Sequence, residues 1–386
     1  MRKPVLVAAL AALPLLAACT ENASDSSGDD RHITVTADDD ACEVSTTSAP
    51  SGHLTFEVTN KGDKVTEFYL YKEDGKSIAG EVENVGPQTT QSLTVTAAAG
   101  KYVTACKPGM EGDGIRGDFT VTDSGEEVTS GADADLVEQA QEQYAAYVEK
   151  EAGALLKDTT RFVNLYSRNQ DDAARALYPV ARSHWERIEP VAESFGDLDP
   201  KMDAREADVD FAAGEKWTGW HVIEKDLWPA RAGKKYDALT PAVRKGMAAD
   251  LLKNTKELVS RIKGEEYGLD QITNGARGLL EEVATGKITG EEEYWSRTDL
   301  YDFQANVDGA KEAFEAVEPI LDEKDPALEQ ELDTRFGQLQ DLLDQHRQGK
   351  GFETYDQLSK AEIDDLANAV NALSEPLSEL TATVVS

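Results

Sequence analysis

From Ile33 to Thr122 apolar and polar residues alternate in short, β-branched runs: Ile33-Thr34-Val35-Thr36, Leu54 to Val58, Glu67 to Tyr71, Ser92 to Val95, Lys101 to Ala105 and Asp118 to Val121. A period of two sends successive side chains to opposite faces of a sheet, so each run predicts a strand with one face in a core. Turn-forming stretches such as Asn60-Lys61-Gly62-Asp63 and Val85-Gly86-Pro87 separate them. Strands at that spacing predict an all-β sandwich over residues 32–123.

After Asp123-Ser124-Gly125 the stride changes to three and four, carried by Ala, Leu, Glu, Gln and Arg. Residues 124–132 read as a linker and 133–386 as an all-α bundle. Asp133 to Lys157 predicts one helix from Leu136, Ala140, Tyr144, Tyr147, Val148, Leu155 and Leu156; Ala173 to Glu189 predicts a second, capped by Asp171-Asp172. Met247 to Ile262, 299–317, 327–347 and 354–384 predict further helices. Glu189-Pro190 and Glu318-Pro319 each look like a helix end followed by an Asp-rich connection, which reads either as the mark of two related four-helix halves or as coincidence, since Pro commonly follows helices.

The amino terminus has a different texture. Arg2 and Lys3 precede the apolar run Val5 to Leu16, too short to span a bilayer, and Leu16-Ala17-Ala18-Cys19 follows. Residues 1–18 are expected to be a signal peptide, with lipid on the Cys19 thiol and residues 19–31 as a polar tether. The mature chain is then expected outside the cytoplasmic membrane, anchored by lipid. The full 386-residue sequence has a formal charge of −35, and removal of residues 1–18 takes away two basic and no acidic residues, giving −37. So acidic a chain repels nucleic acid and attracts cations, although a solvated acidic surface alone serves solubility.

Two groups of residues carry candidate chemistry. In Gly219-Trp220-His221-Val222-Ile223-Glu224, His221 and Glu224 are three apart and share a helix face among apolar neighbours, with Pro229 ending the helix. They read either as two ligands of a metal or as a buried hydrogen-bonded pair. In the sandwich, Cys42 and Cys106 read either as a disulfide or, with Glu67 and Met110 nearby, as a thiolate metal site. His32 and His53 are not placed to complete a blue-copper centre. His184 reads as a surface or packing residue.

Several further stretches fall in one order along the chain: Cys42-Glu43, Glu67, Tyr102 to Cys106, Trp185 to Pro190, Phe195 to Asp199, Asp203 to Glu206, the His221/Glu224 segment with Leu227-Trp228, Ile288 to Glu293, then Asp299, Asp302 and Asn306. Over about residues 32–347 the chain resembles the EfeO-type components of bacterial iron-uptake systems. The resemblance implies a cupredoxin-like sandwich followed by an imelysin-like, peptidase-family helical domain. It implies iron, ferrous or ferric, held by His221, Glu224 and Glu189, with Asp203 near the cleft. It also implies a second metal position at Cys42, Glu67 and Cys106, holding copper or a second iron. The partners it implies are an EfeU-type iron permease and an EfeB-type haem peroxidase. One histidine with several carboxylates suits iron or manganese better than a catalytic zinc, and the residue after Glu224 is Lys225, not a second histidine. Capture and transfer of iron is therefore expected rather than catalysis; a metallopeptidase and an envelope adhesion or polysaccharide-binding module are the alternatives.

Overall fold

A computed structural model describes residues 30–110, 112–125, 132–212 and 214–385. The expected signal peptide, Cys19, most of the tether and residues 126–131 of the linker lie outside the described residues. The strands are β1 (His32–Ala37), β2 (Cys42–Val44), β3 (Ser48–Pro50), β4 (Gly52–Asn60), β5 (Thr66–Lys72), β6 (Ile78–Val85), β7 (Thr90–Ala97), β8 (Gly100–Cys106) and β9 (Ile115–Thr122). They form two sheets, ordered β2-β1-β4-β7 and β3-β9-β8-β5-β6. The period-two pattern predicts this packing: in β4 Leu54, Phe56 and Val58 point inward while His53, Thr55 and Glu57 alternate outward. Phe56 meets Phe68 and Phe119 of the opposite sheet with ring centroids 5.2 and 5.6 Å apart, the centre of the sandwich core.

Cys42 on β2 and Cys106 on β8 are joined by a disulfide, Cα atoms 5.6 Å apart, which ties one sheet to the other. This corrects the expected second metal position at Cys42, Glu67 and Cys106, since a disulfide presents no thiolate to an ion. Glu67 instead accepts a hydrogen bond from the Tyr69 hydroxyl at 2.8 Å, and Met110 is half-exposed.

The second domain runs through α1 (Ala134–Ser167), α2 (Asp171–Glu186), α3 (Glu189–Glu193), α4 (Asp199–Met202), α5 (Trp220–Leu227), α6 (Pro229–Ala232), α7 (Pro241–Ile262), α8 (Leu269–Thr285), α9 (Asp299–Lys324), α10 (Pro326–Gln345) and α11 (Lys360–Val385). One group packs α1 with α2 and α7, another packs α8 to α11, and the two meet where α9 lies on α1 and α2. The Glu-Pro echo does not mark one structural event twice: Pro190 is the second residue of the short α3, whereas Pro319 sits inside α9. No helix among the described residues is long and apolar enough to cross a membrane.

The sandwich lies against the bundle through β6 and β7 on α8. The Thr96 amide donates to Asp270 at 2.8 Å, Asn274 donates to the Thr94 carbonyl at 2.8 Å and Arg277 to the Ser92 carbonyl at 2.6 Å. Between the domains is a cavity of about 290 Å³ whose lining includes Glu81, Glu83, Glu189, Glu193, Glu281 and Glu282. Burial pushes Glu81 from its ordinary 4.5 up to about 8; the charges of Glu67, Asp199 and Glu282 add to the rise and Lys107 opposes it. Glu81 therefore favours folding while neutral. That contribution is complete below about pH 4.5 and is lost as pH rises through about 8. Thermal unfolding of the wild type should show lower stability at pH 9 than at pH 6, with the difference reduced in Glu81→Gln. An equal pH dependence in both proteins would count against this assignment.

Candidate metal centre

The segment carrying His221 and Glu224 is fixed at its start by Gly219. Its φ is +94°, and a Cβ there would collide with the Met202 carbonyl, so only glycine lets α5 begin against α4. The helix then buries Trp220, Ile223 and Leu227 and carries His221 and Glu224 inward with them. Trp220 packs against Phe162 and Tyr178, centroids 5.3 and 5.9 Å away.

His221 and Glu224 meet as the spacing predicts, with Nδ1 3.2 Å from Glu224 Oε2. The other oxygen of Glu224 accepts the amides of Trp295 and Ser296 at 2.7 and 2.5 Å, which fixes the carboxylate in place. On the far side of the ring, Nε2 lies 3.4 Å from Asp203 Oδ1 and 3.4 Å from Glu292 Oε1 and makes no hydrogen bond. Among the described residues, ligand atoms close enough to share one ion occur in three sets: Asp203, His221 and Glu292; His221, Glu224 and Glu293; and Glu186, Glu189 and Asp203. The first two share the imidazole, and the third joins the first through Asp203.

Glu189 is thus not brought to His221, contrary to what the resemblance implies. Lys287 holds it at 2.9 Å and the Asn306 amide reaches it at 3.2 Å, with Lys287 also 3.0 Å from Glu186. Asp203 and Glu292 take the place expected of it. Glu186, Glu292 and Glu293 were not singled out as ligands from sequence, although Ile288 to Glu293 belongs to the resemblance. His184 points out of the cluster, to Glu151 on α1 at 2.7 Å.

The electrostatics follow from burial. Glu186, Glu189, Asp203, Glu224, Glu292, Glu293, Asp299 and Asp302 are all buried, and the permanent cations buried with them are Arg182 and Lys287. Eight carboxylates against two such cations leave a deficit of positive charge that protons must fill when no other cation is present. Burial, with the Glu293 and Glu186 charges, lifts Asp302 far above the usual carboxylate range. Burial and the Glu224 charge do the same to Glu293, and burial brings Asp299 to about 7. Burial also opposes ionisation of Glu292, but the close approach of His221 and the charges of Lys287 and Arg182 overcome it and hold Glu292 well below the ordinary range. His221 is driven down by burial and by Arg182, yet its contacts to Asp203, Glu224 and Glu292 carry it well above an ordinary histidine. One nitrogen donor among oxygens is a hard site suited to iron or manganese.

Comparison with known proteins agrees with both halves of the chain. The imelysin peptidase-family profile matches residues 140–380 and the cupredoxin-like domain profile residues 6–121. A Yersinia pestis protein described as iron uptake system component EfeO is 36% identical over 382 residues, covering 98% of this chain and 96% of its own. The chain belongs to the EfeO family. A second member, from Yersinia pseudotuberculosis, is also 36% identical, over 381 residues, 98% of this chain and 96% of its own. An Efem/EfeO family lipoprotein of Staphylococcus aureus is 44% identical over 252 residues, 65% of this chain and 86% of its own. The two domains of this family member are accordingly a cupredoxin-like sandwich and an imelysin-like helical domain.

Proposed function

We propose that this chain is the iron-binding component of a bacterial iron-uptake system, lipid-anchored outside the cytoplasmic membrane, which captures iron in the helical domain and passes it to a membrane permease. The observation that carries this reading is that, among the described residues, eight buried carboxylates are gathered with one imidazole and two buried permanent cations, with the part-exposed Arg205 3.8 Å from Glu292, an arrangement completed by a divalent or trivalent ion. His221, Glu224, Asp203 and Glu292 are the ligands nearest the imidazole, with Glu293 beside them. The names of the Yersinia and Staphylococcus relatives support iron as the cargo and a lipid anchor as the attachment. An EfeU-type permease and an EfeB-type haem peroxidase are the expected partners.

A peptidase would need an open metal position, a water and a base at a substrate cleft. Here the carboxylates nearest the imidazole are engaged by Arg182 and by backbone amides, an arrangement that supports binding over turnover. Anaerobic loading of the purified protein with ferrous iron, followed by removal of excess metal and elemental analysis, should leave about one tightly held ion per chain. Retention of no iron would overturn this reading, and peptide cleavage abolished by Glu224→Gln would replace it with the peptidase one.

A further inference from the structure

Arg182 is a fully buried arginine on α2 with carboxylates on every side. Its Nη2 is 2.7 Å from Glu186 and 2.6 Å from Glu292, its Nε 2.6 Å from Glu293 and 3.6 Å from Asp302, and its Nη1 bonds Asp203. Two of these contacts use the very oxygens that face the imidazole: Asp203 Oδ1 and Glu292 Oε1 each bond the guanidinium and each lie 3.4 Å from His221 Nε2. Those oxygens cannot ligate an ion at full strength while they serve Arg182.

Building on the iron-binding reading, we propose that Arg182 is a resident cation that iron displaces from Asp203 and Glu292 on entry and that reclaims them on release, so that it limits affinity and speeds hand-over. A proton on a carboxylate can leave to solvent when metal arrives, but a guanidinium stays charged at any physiological pH. It must therefore shift within the cluster, and it remains beside the site as a competitor for the same oxygens. Its three contact nitrogens reach members of all three ligand sets at once. A carrier that must give up its cargo gains from such a competitor, since affinity differences of this kind appear mostly in the dissociation rate.

The test compares wild type, Arg182→Met and Arg182→Lys as purified full chains, with anaerobic ferrous iron as the probe. Arg182→Met should bind iron at least about tenfold more tightly and release it correspondingly more slowly to a chelator, because each 1.4 kcal/mol of lost competition is a factor of ten. Arg182→Lys, which keeps the charge without the fork, should fall between the two. A merely structural arginine would give the opposite sign, weaker binding in both variants. Should Arg182→Met fail to fold, the crystal structure of iron-loaded wild type decides: the proposal expects Asp203 and Glu292 on the ion and the guanidinium moved off both. Unchanged or weaker binding in folded variants, or Arg182 still bonded to both carboxylates in the loaded protein, overturns it. Wild type that loads iron while these results fail sinks this inference alone, whereas wild type that never loads iron sinks the functional reading and this one with it.

Discussion

His221→Ala is expected to abolish iron binding at the helical site, as measured by elemental analysis after anaerobic loading and by the loss of any iron-induced rise in melting temperature. The imidazole is common to two of the three ligand sets and touches Glu224 on one nitrogen and Asp203 and Glu292 on the other. Its removal costs more than the ~10–100-fold that loss of a merely supporting residue costs a metal site. Glu292→Gln, which keeps the shape of the side chain, should weaken binding by about a hundredfold. Glu189→Gln should have less effect than either, because Glu189 meets the cluster only through Asp203 and is already occupied by Lys287. The order His221, then Glu292, then Glu189 is the discriminating result. If Glu189→Gln were the most damaging of the three, the ion would sit in the Glu186, Glu189 and Asp203 set instead.

That ordering differs from what the sequence alone suggests, for a physical reason. His221 and Glu224 were legible because helical spacing brings residues three apart together irrespective of the rest of the fold. Glu292 and Glu293 lie between the helices, after Gly290 with its φ of +71°, and no local periodicity says where such a connection turns its side chains. Arg182 left a faint sign: a charged residue four before Glu186 and three before Trp185, on the buried face of α2. Such a pair inside an apolar face points to a buried charge network, but not to its members.

The sandwich was legible where strands alternate cleanly and obscure elsewhere. β6 escaped because Glu81 and Glu83 sit in it and Gly80 interrupts it; Gly80 is small because Val95 packs where its Cβ would be. In the bundle, α1 runs ten residues beyond the expected Lys157, to Ser167, since Phe162, Val163 and Tyr166 continue the buried stripe. α9 likewise passes through Pro319, because Val317, Ile320 and Leu321 stay buried on either side of the lost amide. In both cases tertiary burial outweighs the local signal for a helix end.

Replacing both cysteines, Cys42→Ser with Cys106→Ser, should destabilise the sandwich by about 4 kcal/mol, the loop-closure contribution for a bridge spanning 64 residues. For a domain of roughly a hundred residues, about 1 kcal/mol moves the melting temperature by ~4–8 °C, so the sandwich transition should fall by more than about 15 °C in calorimetry. The helical domain keeps its own core, and its His221 cluster contains no residue of the sandwich. At a temperature where the variant is still folded, iron loading should therefore match wild type at one ion per chain. This result also separates the two chemistries open to the cysteines. A bridge predicts a loss of stability with metal content unchanged, while a thiolate site would predict the loss of one bound metal from a wild type holding two. Titration of the unreduced wild type with a thiol reagent should find neither Cys42 nor Cys106 reactive, and reactive thiols at both positions would reverse the disulfide assignment.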